Sequence, residues 1–399
     1  MTTTYPNTVG TITKAPLLVV LCPEDQFGWC KQLAEEGYDV VHIFYDNSPA
    51  DSLASSKSIL EHNLDESRAW ALISYGLKSR ISLIIGETAP SQLRASIHYC
   101  PDLTQSEDLL LRYSNNQLVP TIIHAATTQE ELHASVIKHT IDPGYKPDVA
   151  AYNPVVVHAY PRVSAIPPFP FTSLAPIQQL QGLRHEGSVD PYIRSAVSLS
   201  YTRSLELLRR QLGPHFDLEK LWELHTFYEF DDRDALKTMS TMVATPYVNH
   251  IPTMTGGRGY DELARFYKYH FTRGNVTPPD TELITISRTV GADRVIDEMI
   301  FKCTHTTEID YFLPGIKPTG KPLELALVGI IAFRGDKLTF EHIYWDQASA
   351  LVQLGLLKAG NLPIAGVEVA QKVIDPFGLP SNSLMEKWKE SEGLPITDD

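Results

Sequence analysis

Near the end of the chain, HIYWDQASALVQLGLL (His342 to Leu357) places three residues able to move protons at alternate positions: His342, Tyr344 and Asp346. On a strand these share one face, while Glu341, Ile343 and Trp345 share the other. An imidazole, a phenol and a carboxyl beside apolar and aromatic neighbours form the layout expected for acid/base chemistry on a lipophilic carbon skeleton, with no cofactor. On a lone strand the same residues also read as a solvated edge.

The elements that must position these groups come earlier. PYVNHIPTMTGGRG (Pro246 to Gly259) carries Tyr247, Asn249 and His250 and ends in glycines predicted to form a turn. DELARFYKYHF repeats Leu263, Phe266, Tyr267 and His270 at the spacing of a packed helix face. TELITISRTVG and RVIDEMIFKCTHT, parted by Gly-Ala-Asp, read as a hairpin; LELALVGIIAF and DKLTFEHIYWD read as a second around Arg334-Gly335-Asp336. Helices followed by a long, curved antiparallel sheet make an α+β cone able to bury a ligand. Tyr228, Tyr247, Phe266, Tyr267 and Trp345 are its expected aromatic lining. Glu298 reads either as a substrate contact or as an ion-pair partner of Lys302 or Arg288; His305 and Glu308 stand at the rim, as gates or as solvated groups.

Over Phe216 to Leu357 these segments resemble the SnoaL-like polyketide cyclases of the NTF2-like superfold, the motifs being TMVATPYVNHIPTMTGG, DELARFYKYHF, DEMIFKCTHT, LPGIKPTGKP and EHIYWDQASALVQLGLL. The resemblance implies a general acid/base at Asp346 and a second cavity residue at Asn249 or His250, with no cofactor and no metal. Because NTF2-like cones also serve as binding or dimerisation modules, the fold alone does not decide the function.

The first half alternates strand and helix through LLVVLCPEDQFG, DVVHIFYD, AWALISYG, ISLIIGE, ASIHYCPD, LVPTIIHAA and PVVVHAYP, which predicts a parallel α/β sheet. Over Pro16 to Gly213 it resembles the dienelactone hydrolase branch of the α/β-hydrolase fold, carried by LCPEDQFGWCKQLAEEGYDVV, LVPTIIHAA, VVVHAYPRV, PPFPFTSLAP and RSLELLRRQLG. The catalytic parts are missing. Gly76 occupies the nucleophile position, only Glu130 or Glu131 follows the acid's strand, and no His follows Tyr160-Pro161. A triad cannot work without its imidazole, so this half is expected to be a pseudo-hydrolase. Ser74 with His98 or His124 is the remaining dyad, and a serine within a buried strand is ordinarily a satisfied core hydroxyl. Cys22, Cys30, Cys100 and Cys303 lack C-x-x-C spacing and read as buried thiols of a reducing compartment. Histidine spacing gives no zinc motif.

At 399 residues and a formal net charge of -14, the chain suits a two-domain protein with no nucleic-acid surface. No apolar run reaches a membrane span and no leader pattern opens it, which predicts a cytoplasmic location. The expected organisation is an extension over 1–15, a hydrolase-like domain over 16–213, a cone over 214–360 and a packing tail over 361–399. The function expected is a cofactor-independent cyclase or isomerase of a small lipophilic substrate, in a homodimer. A pericyclase, a non-catalytic binding or dimerisation protein, and a lactone or ester hydrolase are the alternatives.

Overall fold

Leu17–Cys22 is buried along its whole length, as a central strand of a parallel sheet covered on both faces must be. The computed structural model describes residues 2–45, 68–77, 82–86, 88–101, 109–126, 154–161, 163 and 190–396, divided into the units Met1–Phe216 and Asp217–Asp399. Glu130, Glu131 and the proline-rich stretch after residue 163 lie outside the described residues.

In the first unit, β1 (Thr2–Tyr5), β2 (Leu17–Cys22), β3 (Asp39–Phe44), β4 (Trp70–Tyr75), β5 (Leu93–Tyr99), β6 (Thr121–Ala125) and β7 (Val155–Ala159) form one sheet in the order β1-β3-β2-β4-β5-β6-β7. All neighbours are parallel except β1 against β3. The run ISLIIGE does not join the sheet: Ser82–Ile85 is a short helix, an apolar run of that length suiting a buried helix as well as a strand. Alternation divides β2 between two cores: Leu18 and Val20 pack with Trp29 and Leu33 of α1 (Phe27–Glu35) and Leu205 and Leu208 of α2 (Pro191–Leu212), and Leu17, Val19 and Leu21 pack on the opposite face. Asp190 caps α2 by accepting from the Tyr192 N–H, with Pro191 at the first helical position. Arg209 of α2 donates to the buried Glu36 carboxylate at 2.6 Å and to the Glu36 carbonyl at 2.7 Å, tying α2 to the end of α1.

In the second unit, β8 (Met242–His250), β9 (Thr255–Arg258), β10 (Glu282–Val290), β11 (Arg294–Thr304), β12 (Pro322–Arg334) and β13 (Lys337–Trp345) are ordered β10-β11-β12-β13-β8-β9. Both predicted hairpins are present, β10/β11 and β12/β13, and β13 pairs parallel with β8. The helices are α3 (Leu218–Thr226), α4 (Ala235–Ser240), α5 (Gly259–Phe266), α6 (Gln347–Gln353) and α7 (Glu368–Ile374).

The glycines after His250 do not make the turn. The chain reverses over 251–254, with Met254 at φ 54, while Gly256 and Gly257 lie within β9. Their role is close approach: a Cβ on Gly256, at φ +131, would stand 2.1 Å from the Val248 carbonyl oxygen, and one on Gly257 would stand 2.7 Å from the Leu263 backbone of α5. Among the described residues no helix is long and apolar enough to cross a membrane.

Candidate active site

Parallel pairing of β13 with β8 sets Glu341 beside Val248 and Ile343 beside His250. Because side chains alternate, Glu341 and Ile343 share the inner face of the sheet with Val248 and His250, and these residues line one cavity. Phe271, Met299, Phe301, Tyr311, Phe312 and Leu327 supply most of its apolar wall. The enclosed space is small, about 50 Å³, enough for a few waters or the reacting end of a larger molecule.

Four polar side chains form a cluster at this cavity. Both α3 and α5 run on into a π-helical turn, Phe227–Asp231 and Tyr267–Phe271; such turns displace side chains from the ordinary helix faces and recur at functional sites. One carries Glu229 and the other Tyr267, and both line the cavity. His225, one helical turn before Glu229, sets Nε2 3.2 Å from Glu229 and 3.0 Å from Glu341. The Tyr267 hydroxyl donates to Glu341 at 3.2 Å. Thr241 already donates its hydroxyl proton to the Thr238 carbonyl, so it must accept from His225 Nδ1, 2.6 Å away. With Nδ1–H so assigned and Nε2 between two carboxylates, His225 is an imidazolium. Burial alone would lower its pKa, but Glu229 and Glu341 outweigh that and raise it to about 10. Burial raises the Glu229 pKa, against the pull of His225 and with the push of Glu341. One carboxyl of the cluster is thereby drawn toward its protonated form.

His250 stands apart from this cluster. Its Nδ1 is buried and, among the described residues, has no hydrogen-bond partner. Burial brings its pKa down to about 4, partly offset by Glu341 and the Thr255 carbonyl, so it is neutral near pH 7. A partnerless buried polar atom in an apolar cavity is costly and calls for a ligand atom or water.

A wider outer pocket of about 430 Å³ shares Trp222, Phe230, Leu283 and Met299 with the inner cavity. Asp297, fully buried in its wall, accepts from Trp222 Nε1 at 2.9 Å and from Arg288 Nε and NH2 at 2.7 and 2.8 Å. Arg288 also meets Glu219 and Glu223.

The sequence-derived candidates distribute unevenly around this site. His250 and Tyr267 line the cavity. His342 and Tyr344 do share a face, but it is the outer one: Tyr344 is exposed, and His342 packs against Tyr247, itself stacked on Phe340. Asn249 alternates onto that outer face with Tyr247. The convergence of His342, Tyr344 and Asp346 on the cavity is therefore corrected. The phase of the strand is set by Ile343 and Trp345, which are buried and carry Glu341 inward with them; Leu338, also buried, lies beyond the register shift between Leu338 and Phe340. Asp346 lies beyond the strand end, exposed, accepting from the Ala348 N–H and the Ser349 hydroxyl as N-cap of α6, a role worth ~1 kcal/mol. Trp345 and Phe266 pack around the His250 ring at 6.1 and 5.7 Å, behind the cavity wall. Tyr228 is half-buried beside Phe227 and is not among the lining residues. Glu298 accepts from Ser287 on the outer face; Arg288 pairs with Asp297 and Lys302 with Glu324 instead. His305 is buried rather than at a solvated rim, its Nδ1 3.1 Å from Thr319 Oγ1; Glu308 pairs with Lys317.

In the first unit Ser74 and His98 do meet, at 2.7 Å, but both are fully buried and Ser96 holds the other ring nitrogen at 2.9 Å. His124 is held by Tyr160 and Ser204.

Residues 223–354 match the SnoaL-like polyketide cyclase family. The matched stretch lies within the second unit, which thus contains a SnoaL-like domain. Similar solved structures include a hypothetical protein of ketosteroid isomerase-like fold from Catenulispora acidiphila, with 13% identity, 36% of this chain and 96% of that one covered, and a TM-score of 0.27. TsrD from Streptomyces laurentii shows 18% identity over 36% of this chain and 100% of its own, with a TM-score of 0.29. No curated protein matches the chain.

Proposed function

We propose that the second unit is a cofactor-independent proton-transfer enzyme, a cyclase or isomerase of a lipophilic carbonyl compound such as a polyketide or terpenoid. The observation that carries this reading is the partnerless Nδ1 of His250, buried in the same apolar cavity as Glu229, Glu341 and Tyr267. Glu341 takes a proton from a carbon activated by a neighbouring carbonyl. Glu229, whose carboxyl burial pushes toward its protonated form, gives its proton to the carbonyl oxygen as Glu341 takes the one on carbon, so that a neutral enol forms, and the proton on Glu341 is then returned to carbon. His250 Nδ1 accepts a hydrogen bond from the enol hydroxyl, and His225 is a positioning residue that holds both carboxyls. The 50 Å³ cavity admits the reacting end, and the outer pocket takes the rest of the substrate. Titration of the full chain with substituted phenols, as enol mimics, tests the reading. One bound phenol per chain, lost when Met299→Trp fills the shared wall, is expected; binding unchanged in that variant overturns it.

For the first unit we infer a hydrolase-derived scaffold without hydrolase chemistry. Gly76, directly after β4, has φ 60, the left-handed backbone that a nucleophile turn needs, and it offers no side chain to attack. Hydrolysis of a model lactone that Ser74→Ala abolishes would overturn this. The exposed apolar side chains Ile284, Ile296, Val328 and Tyr344 of the second unit's sheet support a homodimer through its outer face, which light scattering of Val328→Glu checks.

A further inference from the structure

Away from the cavity, the described residues bring together one other set of metal-ligating side chains. Cys22 ends β2, Cys30 lies in α1 and His42 lies in β3; their ligand atoms all fall within 4.8 Å of one another. Cys22 Sγ is 3.2 Å from His42 Nε2, which also lies 3.0 Å from the Cys22 carbonyl oxygen. Both cysteines are fully buried and His42 nearly so. His42 nevertheless forms part of the wall of a surface pocket of about 550 Å³, with Tyr5, Glu24, Asp25 and Phe44.

We propose that Cys22, Cys30 and His42 bind one thiophilic closed-shell metal ion of the zinc class, its fourth position open toward the Asp25 pocket. Two thiolates and one imidazole are the donor set that such ions select, and three protein ligands with one open position mark a reactive rather than a purely structural site. Tetrahedral zinc at ~2.3 Å from sulfur and ~2.05 Å from nitrogen places those ligand atoms ~3.6 Å apart. The observed 3.2 Å contact need open by only a few tenths of an ångström. Charge agrees as well: a divalent ion and two thiolates sum to zero, so loading adds no net charge to a buried site. On binding, both thiols release their protons to solvent; a proton on His42 Nε2 moves to Nδ1, and the lone pair so freed goes to the metal. The location at the carboxyl end of β2 is where open α/β sheets bind their ligands. Because a strand, a helix and the next strand each give one ligand, the sequence shows no zinc-finger spacing.

The test uses the full chain, reduced and stripped of metal, titrated with Cd²⁺ while the ultraviolet thiolate-to-metal charge-transfer band is followed, and with Zn²⁺ against a chromophoric chelator. The expected result is one ion per chain, with the band lost in Cys22→Ser and Cys30→Ala and affinity at least tenfold weaker in His42→Ala. Glu341→Gln, which alters the His225 cluster instead, keeps the full stoichiometry. Circular dichroism reports whether each variant folds, and Cys30→Ala alone decides should Cys22→Ser fail. Absence of a band in the wild-type chain overturns the proposal, as does a band that survives both cysteine variants. A Cys22–Cys30 disulfide in the isolated protein, with no metal uptake after reduction, overturns it too.

Discussion

Replacing His225 by Leu removes the one cation that, among the described residues, faces Glu229 and Glu341, which lie 3.2 and 3.0 Å from its Nε2 in a space with almost no exposure to water. The two carboxyls are then left with each other and Tyr267. Breaking a buried charge cluster by deleting one partner costs roughly 3–5 kcal/mol. At ~2–4 °C per kcal/mol for a unit of this size, the second unit's unfolding midpoint falls by roughly 6–20 °C at pH 7. The pH dependence carries the signature. In the wild type the His225 pKa is raised to about 10, so its contribution is full below the unfolded value near 6.5 and is lost as pH rises through 10. In the variant the carboxyls must take up protons instead, so its deficit is greatest near pH 6.5 and shrinks as pH falls from there toward the carboxylate range. Scanning calorimetry of wild type and variant between pH 5 and 9 resolves this. A midpoint unchanged at pH 7, or a deficit that grows on acidification below about pH 6.5, refutes the charged-cluster assignment.

Glu341→Gln leaves His225 and Glu229 as a balanced pair, so stability should hold within ~1 kcal/mol while turnover drops roughly 10²–10⁴-fold, checked by calorimetry beside an activity assay. Asp346→Asn, altering an exposed cap, should keep turnover within about threefold; a loss comparable to that of Glu341→Gln would move the acid/base role to Asp346. Gly256→Ala forces a Cβ to 2.1 Å from a backbone carbonyl at φ +131, an effect of at least ~3 kcal/mol by strain and overpacking together, read by denaturant unfolding. Burial lowers the pKa of His98 to about 4 and that of His124 well below its usual value. Their unfolded pKa values are higher, so the first unit's stability is present above about 6.5 and lost as pH falls toward 4, which stepwise acidification followed by circular dichroism will show.

The sequence made some levels of this structure readable and hid others for physical reasons. Hairpins were legible because β-rich runs met at short polar turns, Gly291-Ala292-Asp293 and Arg334-Gly335-Asp336. The parallel strands of the first half were legible because burial on both faces leaves uninterrupted apolar runs. Which face of β13 looks inward was misread, because three proton-transfer groups on one face drew more weight than the apolar phase. Ile343 and Trp345 are the better guide, and they select Glu341; Leu338 comes inward only through the register shift that follows it. His225-x-x-x-Glu229 had the spacing of one helical turn, a usable signal in HTFYE. The π-helical continuation that carries Glu229 to the cavity has no local pattern to betray it. Cys22, Cys30 and His42 meet only through tertiary packing of three elements.

The Glu341 and His250 cavity is proposed to move protons at carbon. The most direct test is deuterium uptake by lipophilic β-dicarbonyl compounds incubated with the full chain in deuterium oxide and followed by mass spectrometry, with Glu341→Gln, His250→Leu and Asp346→Asn alongside. Uptake faster than the spontaneous exchange in buffer is expected in the wild type and in Asp346→Asn, and a fall to that background rate in Glu341→Gln and His250→Leu. Uptake above background that persists in Glu341→Gln and His250→Leu, or that is absent from the wild type across the series, would contradict the proposal.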